Sequence, residues 1–148
     1  MVLITGGTGF IGSYIIRQLV LTGHQVRAIR RSTSKLPFYI PQDLLARVEW
    51  IEADVLDLQS ISDAMQGVDS IIHSAAIVSF QKKDREEMYN INVEGTANLV
   101  NLALENNIRR FLHVSSVAAM GRTHQGETVT EKKQWQESGT NTHYAISK

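Results

Sequence analysis

The chain has 148 residues, with fifteen lysines and arginines against fifteen aspartates and glutamates, 43% hydrophobic residues and no cysteine. That is one domain's worth of sequence, long enough to bury a core, and its balanced charge creates no global field toward nucleic acid or an anionic membrane. The missing cysteine excludes disulfides and thiolate chemistry and fits a reducing cytoplasm. The five histidines are scattered, with no pair four apart on a helix as a zinc motif needs, so no metal is expected. Val2 to Ile4 is too short for a secretory core and no run approaches membrane-spanning length, so a soluble, untargeted protein is expected.

Val2-Leu3-Ile4-Thr5 reads as a strand that runs straight into Gly6-Gly7-Thr8-Gly9-Phe10-Ile11-Gly12. Glycines at positions 6, 9 and 12 allow a tight turn, a close approach to a pyrophosphate, and close packing of the next helix on the sheet. Apolar residues at helical spacing follow (Phe10, Ile11, Tyr14, Ile15, Leu19, Val20), and Gly23 ends the segment. A helix there offers unsatisfied amides and a positive dipole end to phosphate groups. Gly6, Thr8, Gly9, Phe10, Ile11 and Gly12 are therefore expected to hold a nucleotide cofactor.

Further β-rich runs are predicted at Gln25–Ile29, Val48–Glu52, Ser70–Ser74 and Arg110–Val114, separated by helices and loops. Such alternation predicts a doubly wound α/β fold on a parallel sheet, with a ligand crevice beyond the carboxyl ends of the strands. Ser32 to Asp43 holds both prolines and reads as a loop or broken helix, and Ser60–Gln66 as a short helix ended by Gly67. Asp84 to Asn107 reads as one long helix with Met88, Ile91, Gly95, Leu99, Leu102 and Ala103 along a face. Gly121 to Thr142 is polar and reads as a surface loop bordering the crevice.

The second strand ends at Arg30-Arg31, where a dinucleotide fold puts the residue that touches the adenosine ribose. Aspartate there would select NAD. A guanidinium cannot accept from ribose hydroxyls but pairs well with a 2′-phosphate, so NADP is the expected cofactor, with NAD the alternative. Asp54, with Val55, follows the third strand, where its carboxylate would either accept from the adenine amine or shape a turn. Ala75 and Ala76, after His73-Ser74, are small enough to let a cofactor lie against the backbone.

Three residues have catalytic potential. Ser116 follows the fifth strand, and Tyr144 and Lys148 lie four apart, which on a helix stacks ammonium and phenol on one face. A nearby cation favours the phenolate, so Tyr144 could exchange a proton while Ser116 polarises a substrate oxygen and a nicotinamide gives or takes hydride.

The ordered set TGGTGFIG, DVLD, HSAA, the helix with NVEGT, VSSVAAMG and YAISK resembles the extended short-chain dehydrogenase/reductase family, which includes nucleotide-sugar epimerases, dehydratases and ketone reductases. The resemblance covers the whole chain. It implies Ser116, Tyr144 and Lys148 as the catalytic set; Gly6, Gly9, Gly12, Asp54, Ala75 and Ala76 along the cofactor; and Asn92 near the active centre on its helix. Arg30-Arg31 in place of the epimerases' acidic residue, and Ala118 where many sugar-acting members carry a hydroxyl, look more like the dihydroflavonol reductase and hydroxysteroid dehydrogenase branch. The implied activity is hydride transfer between NADP(H) and a carbonyl or alcohol substrate. An NAD-dependent nucleotide-sugar epimerase or dehydratase and a non-catalytic dinucleotide-binding protein are the alternatives.

Family members continue past the position of Lys148 with further sheet and a substrate lobe. Residues 1–148 are accordingly expected to be the dinucleotide-binding domain of a longer enzyme, binding cofactor without turnover. The fifth strand would be a sheet edge, which favours homo-oligomers or loss of order at the C-terminus.

Overall fold

In the computed structural model, residues 1–121, 128–136 and 138–148 are described. The five expected strands form, with ends within one residue of those predicted: β1 (Val2–Thr5), β2 (Val26–Arg30), β3 (Val48–Glu52), β4 (Ser70–His73) and β5 (Arg110–His113). They make one parallel sheet in the order β3-β2-β1-β4-β5. The chain moves outward from β1 to β3, then returns to lay β4 on the free side of β1. That reversal opens a crevice where the chain leaves β1 and β4 in different directions.

Both faces of the sheet are covered, which is why β1 is apolar without alternation. Leu3 points into a core shared with Ile29, Ile61, Ile71 and Leu99, under α3 (Leu58–Ala64) and α5 (Gly95–Glu105). Its neighbour Ile4 points the other way, toward Ile16, Val20 and Leu45, under α1 (Phe10–Leu21) and α2 (Gln42–Leu45). The period-2 pleat of one strand thus feeds both cores. Layers and order agree with the doubly wound expectation.

Three predicted elements change. The short helix begins at Leu58 rather than Ser60, because Asp57 caps it by accepting from the Gln59 amide at 3.1 Å. The single long helix is interrupted: after α4 (Arg85–Tyr89) comes a π-helical turn, Asn90–Glu94, before α5. A 3.6-residue period cannot report such a turn, since its extra residue shifts the face. Met88, Asn92, Gly95, Leu99 and Ala103 are buried, whereas Ile91 and Leu102 are only half-buried. At Gly95 an added Cβ would stand 2.7 Å from Val55 Cγ2, so a larger residue would force the helix off the sheet. The predicted surface loop begins with a 3₁₀ turn, Val117–Met120, and ends at α6 (His143–Ser147). Its residues 122–127 and 137 lie outside the described residues.

β5 is an edge strand with Leu112 53% exposed, as the sequence implied. Among the described residues, no helix is long and apolar enough to cross a membrane, and no group of three His, Asp or Glu side chains could hold a metal ion.

Candidate functional site

A groove of about 220 Å³ opens at the carboxyl ends of β1, β2, β3 and β4. Its first wall is the glycine turn. Gly6 has φ +69°, and a Cβ there would come within 2.6 Å of the Ala75 backbone nitrogen, so the turns after β1 and β4 touch backbone to backbone. At Gly12 a Cβ would overlap the Gly6 carbonyl and stand 2.7 Å from Ser74 Oγ, which locks the start of α1 onto the same two turns. Gly9 is the N-cap of α1 and no side chain caps the helix, so its first amides keep their capacity to bind an anion. Gly6, Thr8 and Gly9 line the groove. Gly12 supports it from behind, buried. Phe10 and Ile11, 71% and 56% exposed, lie outside the lining; Phe10 packs instead against Tyr14 and Tyr39, with ring centroids 5.0 and 6.2 Å away.

The second wall carries charge. Arg30 and Arg31 both line the groove. Arg30 is half-buried and donates from Nη1 to the Ser34 carbonyl at 3.2 Å, while the Ser34 amide donates to the Arg31 carbonyl at 2.9 Å, which curls residues 31–34 beside the exposed Arg31. Asp54 and Val55 line the floor. Asp54 does the turn work considered from its residue type, accepting from the Leu56 amide at 2.9 Å, while the residue also lines the groove.

The third wall is Ser74 to Ile77. Ala75 and Ala76 line it, and their position is set from below: Ser74 Oγ donates to the Thr5 carbonyl at 2.7 Å and the Ala75 amide donates to Thr5 Oγ1 at 3.2 Å. Asn92 does not reach the groove lining. It is buried, and its amide is consumed by protein partners: Oδ1 accepts from the Ile77 amide at 2.8 Å, while Nδ2 donates to the Ile77 carbonyl and to Ser147 Oγ, each at 2.9 Å. One side chain therefore pins the third wall to α6.

Ser116, Tyr144 and Lys148 lie beyond this groove, past the end of β5. Ser116 caps the 3₁₀ turn by accepting from the Ala118 amide at 3.1 Å. α6 packs on that turn and on α4, and Thr142 Oγ1 caps it at the Ala145 amide, 3.1 Å. Lys148 reaches back across 34 residues to donate from Nζ to the Val114 carbonyl at 2.9 Å, two residues before Ser116. Burial holds the Lys148 ammonium below the usual lysine range. The Tyr144 ring meets Phe80 edge-on, 6.3 Å between centroids.

Several participants escaped the sequence reasoning, among them the groove-lining Ile29, Ala53 and Ile91. Ser34 and Ile77 line the groove through backbone geometry that composition does not report. Thr142 could have been found as a hydroxyl just before an apolar turn. His73 is fully buried and hydrogen-bonded at both ring nitrogens; only its place at the end of a β-rich run hinted at this.

Residues 2–148 match the NAD dependent epimerase/dehydratase family. Sterol demethylase protein B of Methylococcus capsulatus is 40% identical over 124 residues, which is 84% of this chain and 37% of that protein. The 3-beta-hydroxysteroid dehydrogenase of Mycolicibacterium neoaurum is 31% identical over 121 residues, 78% of this chain and 31% of that protein. Among solved structures, the UDP-glucose 4-epimerase of Thermus thermophilus in complex with NAD superposes with a TM-score of 0.80 at 25% identity, covering 99% of this chain and 46% of the epimerase. The chain thus spans less than half the length of each of these relatives.

Proposed function

The chain belongs to the NAD dependent epimerase/dehydratase family, and from that membership we propose that residues 1–148 are the dinucleotide-binding domain of an NADP-dependent oxidoreductase acting on a carbonyl or alcohol carbon. The observation that carries the NADP reading is that two arginines, Arg30 and Arg31, line the groove at the end of β2, Arg31 exposed. A diphosphate would lie against the uncapped amides at the start of α1, since the Gly9 amide already donates to the Gly6 carbonyl at 3.0 Å; the adenosine would extend toward Asp54 and Val55, and a 2′-phosphate would meet Arg31. Ala75 and Ala76 would leave room for the middle of the molecule. The cytoplasm, as a reducing compartment, suits a chain without cysteine.

When bound, nicotinamide supplies the hydride acceptor or donor. The chain's own residues handle the oxygen and the proton: Ser116 donates a hydrogen bond to the substrate oxygen, Tyr144 takes the alcohol proton as the carbonyl forms and returns it in the reverse direction, and Lys148 supplies the neighbouring positive charge. Asn92 acts on these groups only through Ser147, which sits in the same helix as Tyr144.

Titration calorimetry tests the cofactor assignment. NADPH is expected to bind at least about tenfold more tightly than NADH, and Arg31→Asp to abolish or reverse the preference. Equal affinities in the unaltered chain would overturn the NADP assignment. The family's epimerases favour a second reading, an NAD-dependent sugar epimerase; UDP-glucose binding together with a preference for NADH would support it.

A further inference from the structure

The buried polar group that the proposed chemistry leaves unused is His73. It pairs with Thr5 across β4 and β1 and with His113 across β4 and β5, and it has no solvent exposure. Its Nδ1 lies 2.6 Å from Thr5 Oγ1 and its Nε2 2.8 Å from Thr96 Oγ1. Only one arrangement of hydrogens satisfies every partner. Thr96 spends its single hydroxyl hydrogen on the Asn92 carbonyl at 2.6 Å, so toward His73 it can only accept, and Nε2 must carry the ring hydrogen. In a neutral ring Nδ1 is then an acceptor, which Thr5 supplies with its own hydroxyl hydrogen. Thr5 Oγ1 meanwhile accepts from the Ala75 amide at 3.2 Å.

These bonds run in one direction, from the Ala75 amide on the groove wall through Thr5, His73 and Thr96 to the carbonyl of Asn92 in the π-helical turn. The Asn92 side chain continues to Ile77, back on the groove wall, and to Ser147 in α6. We propose that His73, held as the neutral Nε2–H tautomer, is a positioning residue that, through Thr96, fixes the π-helical turn from which Asn92 pins the groove wall to α6, so that a dinucleotide in the groove tightens the helix carrying Tyr144. The coupling rests on the groove being the dinucleotide site; the tautomer does not.

A second ring hydrogen at Nδ1 would confront the hydroxyl hydrogen of Thr5 and put a charge where His113 of β5, with ring centroids 5.3 Å apart, and Lys148 after α6 already oppose it. Burial is the larger obstacle, and together these hold the His73 pKa at about 3.

The test uses the unaltered chain labelled with ¹⁵N-histidine, with His73 assigned by its absence in His73→Gln. Long-range ¹H–¹⁵N spectra should show a bare Nδ1 and a protonated Nε2 from pH 8 to about pH 5. An Nδ1–H tautomer, or a ring that titrates near the ordinary histidine value, would overturn the assignment. For the coupling, hydrogen exchange at the Ile146 amide should slow at least about threefold on saturation with NADPH. Thr96→Val should lose that slowing while still binding NADPH, and Thr96→Ser should restore it. NADPH binding without any change at Ile146, or unchanged slowing in Thr96→Val, would refute the coupling. No NADPH binding at all would remove the groove reading and the coupling with it, leaving the tautomer to the spectra.

Discussion

The groove at β1 and β4 and the cluster beyond β5 are held together by different physics. The groove is fixed by backbone contact: Gly6 against Ala75 and Gly12 against Gly6 allow no side chain, and sheet register places the turns side by side. The cluster of Ser116, Tyr144 and Lys148 hangs on a few long-range polar contacts, Lys148 to Val114 and Ser147 to Asn92, the latter across 55 residues. Thr142 caps α6, and Asn92 and the 3₁₀ turn hold it in place. A groove wall fixed by backbone contact therefore stands beside a group of side chains placed by long-range polar contacts.

The largest expected effect is acid loss of stability through His73, which lies between the two regions. Its folded pKa of about 3 is below the unfolded value of 6.5, so the unfolded chain binds the proton first as pH falls. The contribution is complete above pH 6.5, declines as pH drops toward 3, and amounts to at most about 5 kcal/mol. His113, also lowered by burial and by Lys148, acts in the same direction. Urea unfolding between about pH 7.5 and 4 checks this; a midpoint independent of pH would show that the ring is not buried neutral.

Next comes the glycine turn. Gly12→Val should cost more than about 3 kcal/mol and remove dinucleotide binding, because its side chain must displace backbone. Gly23→Ala, at φ +84° with nothing within 4 Å of the new Cβ, should cost only about 1–2 kcal/mol and leave binding intact. Equal losses would mean that conformation, rather than close approach, explains the glycines.

Asn92→Ala removes the pin between the regions and leaves the Ile77 amide and carbonyl without partners. About 2–3 kcal/mol should be lost, with faster amide exchange concentrated in α6 and in residues 75–78. Uniform exchange changes would argue against a local pin. The smallest effect belongs to the sheet edge: Leu112→Lys should alter stability by no more than about 0.5 kcal/mol while reducing any self-association seen by light scattering.

The sequence made the groove legible because its demands are local. A strand followed by glycines three apart, then a helix, names its own geometry, and Arg30-Arg31, Asp54, Ala75 and Ala76 fall at strand ends that periodicity locates within a residue. Phe10 and Ile11 show how far that logic reaches: their backbone amides belong to the uncapped start of α1, while their side chains are exposed and lie outside the groove lining. Asn92 shows a limit: the resemblance put it near the chemistry, but its partners Ile77 and Ser147 are far away in sequence and nothing in composition names them.

By itself, then, the sequence determined the order of strands and helices, the parallel sheet, the glycine-lined turn and the charge at the end of β2. All of these follow from short-range periodicity and from residues whose steric or donor properties act within a few positions. Only the tertiary structure decided the π-helical turn at Asn90–Glu94, the tautomer of His73, the curl that sets Arg31 beside Ser34, and the docking of α6. Each depends on which donor meets which acceptor when distant segments are packed together, and a buried polar group takes its partner from the fold rather than from its neighbours in the chain.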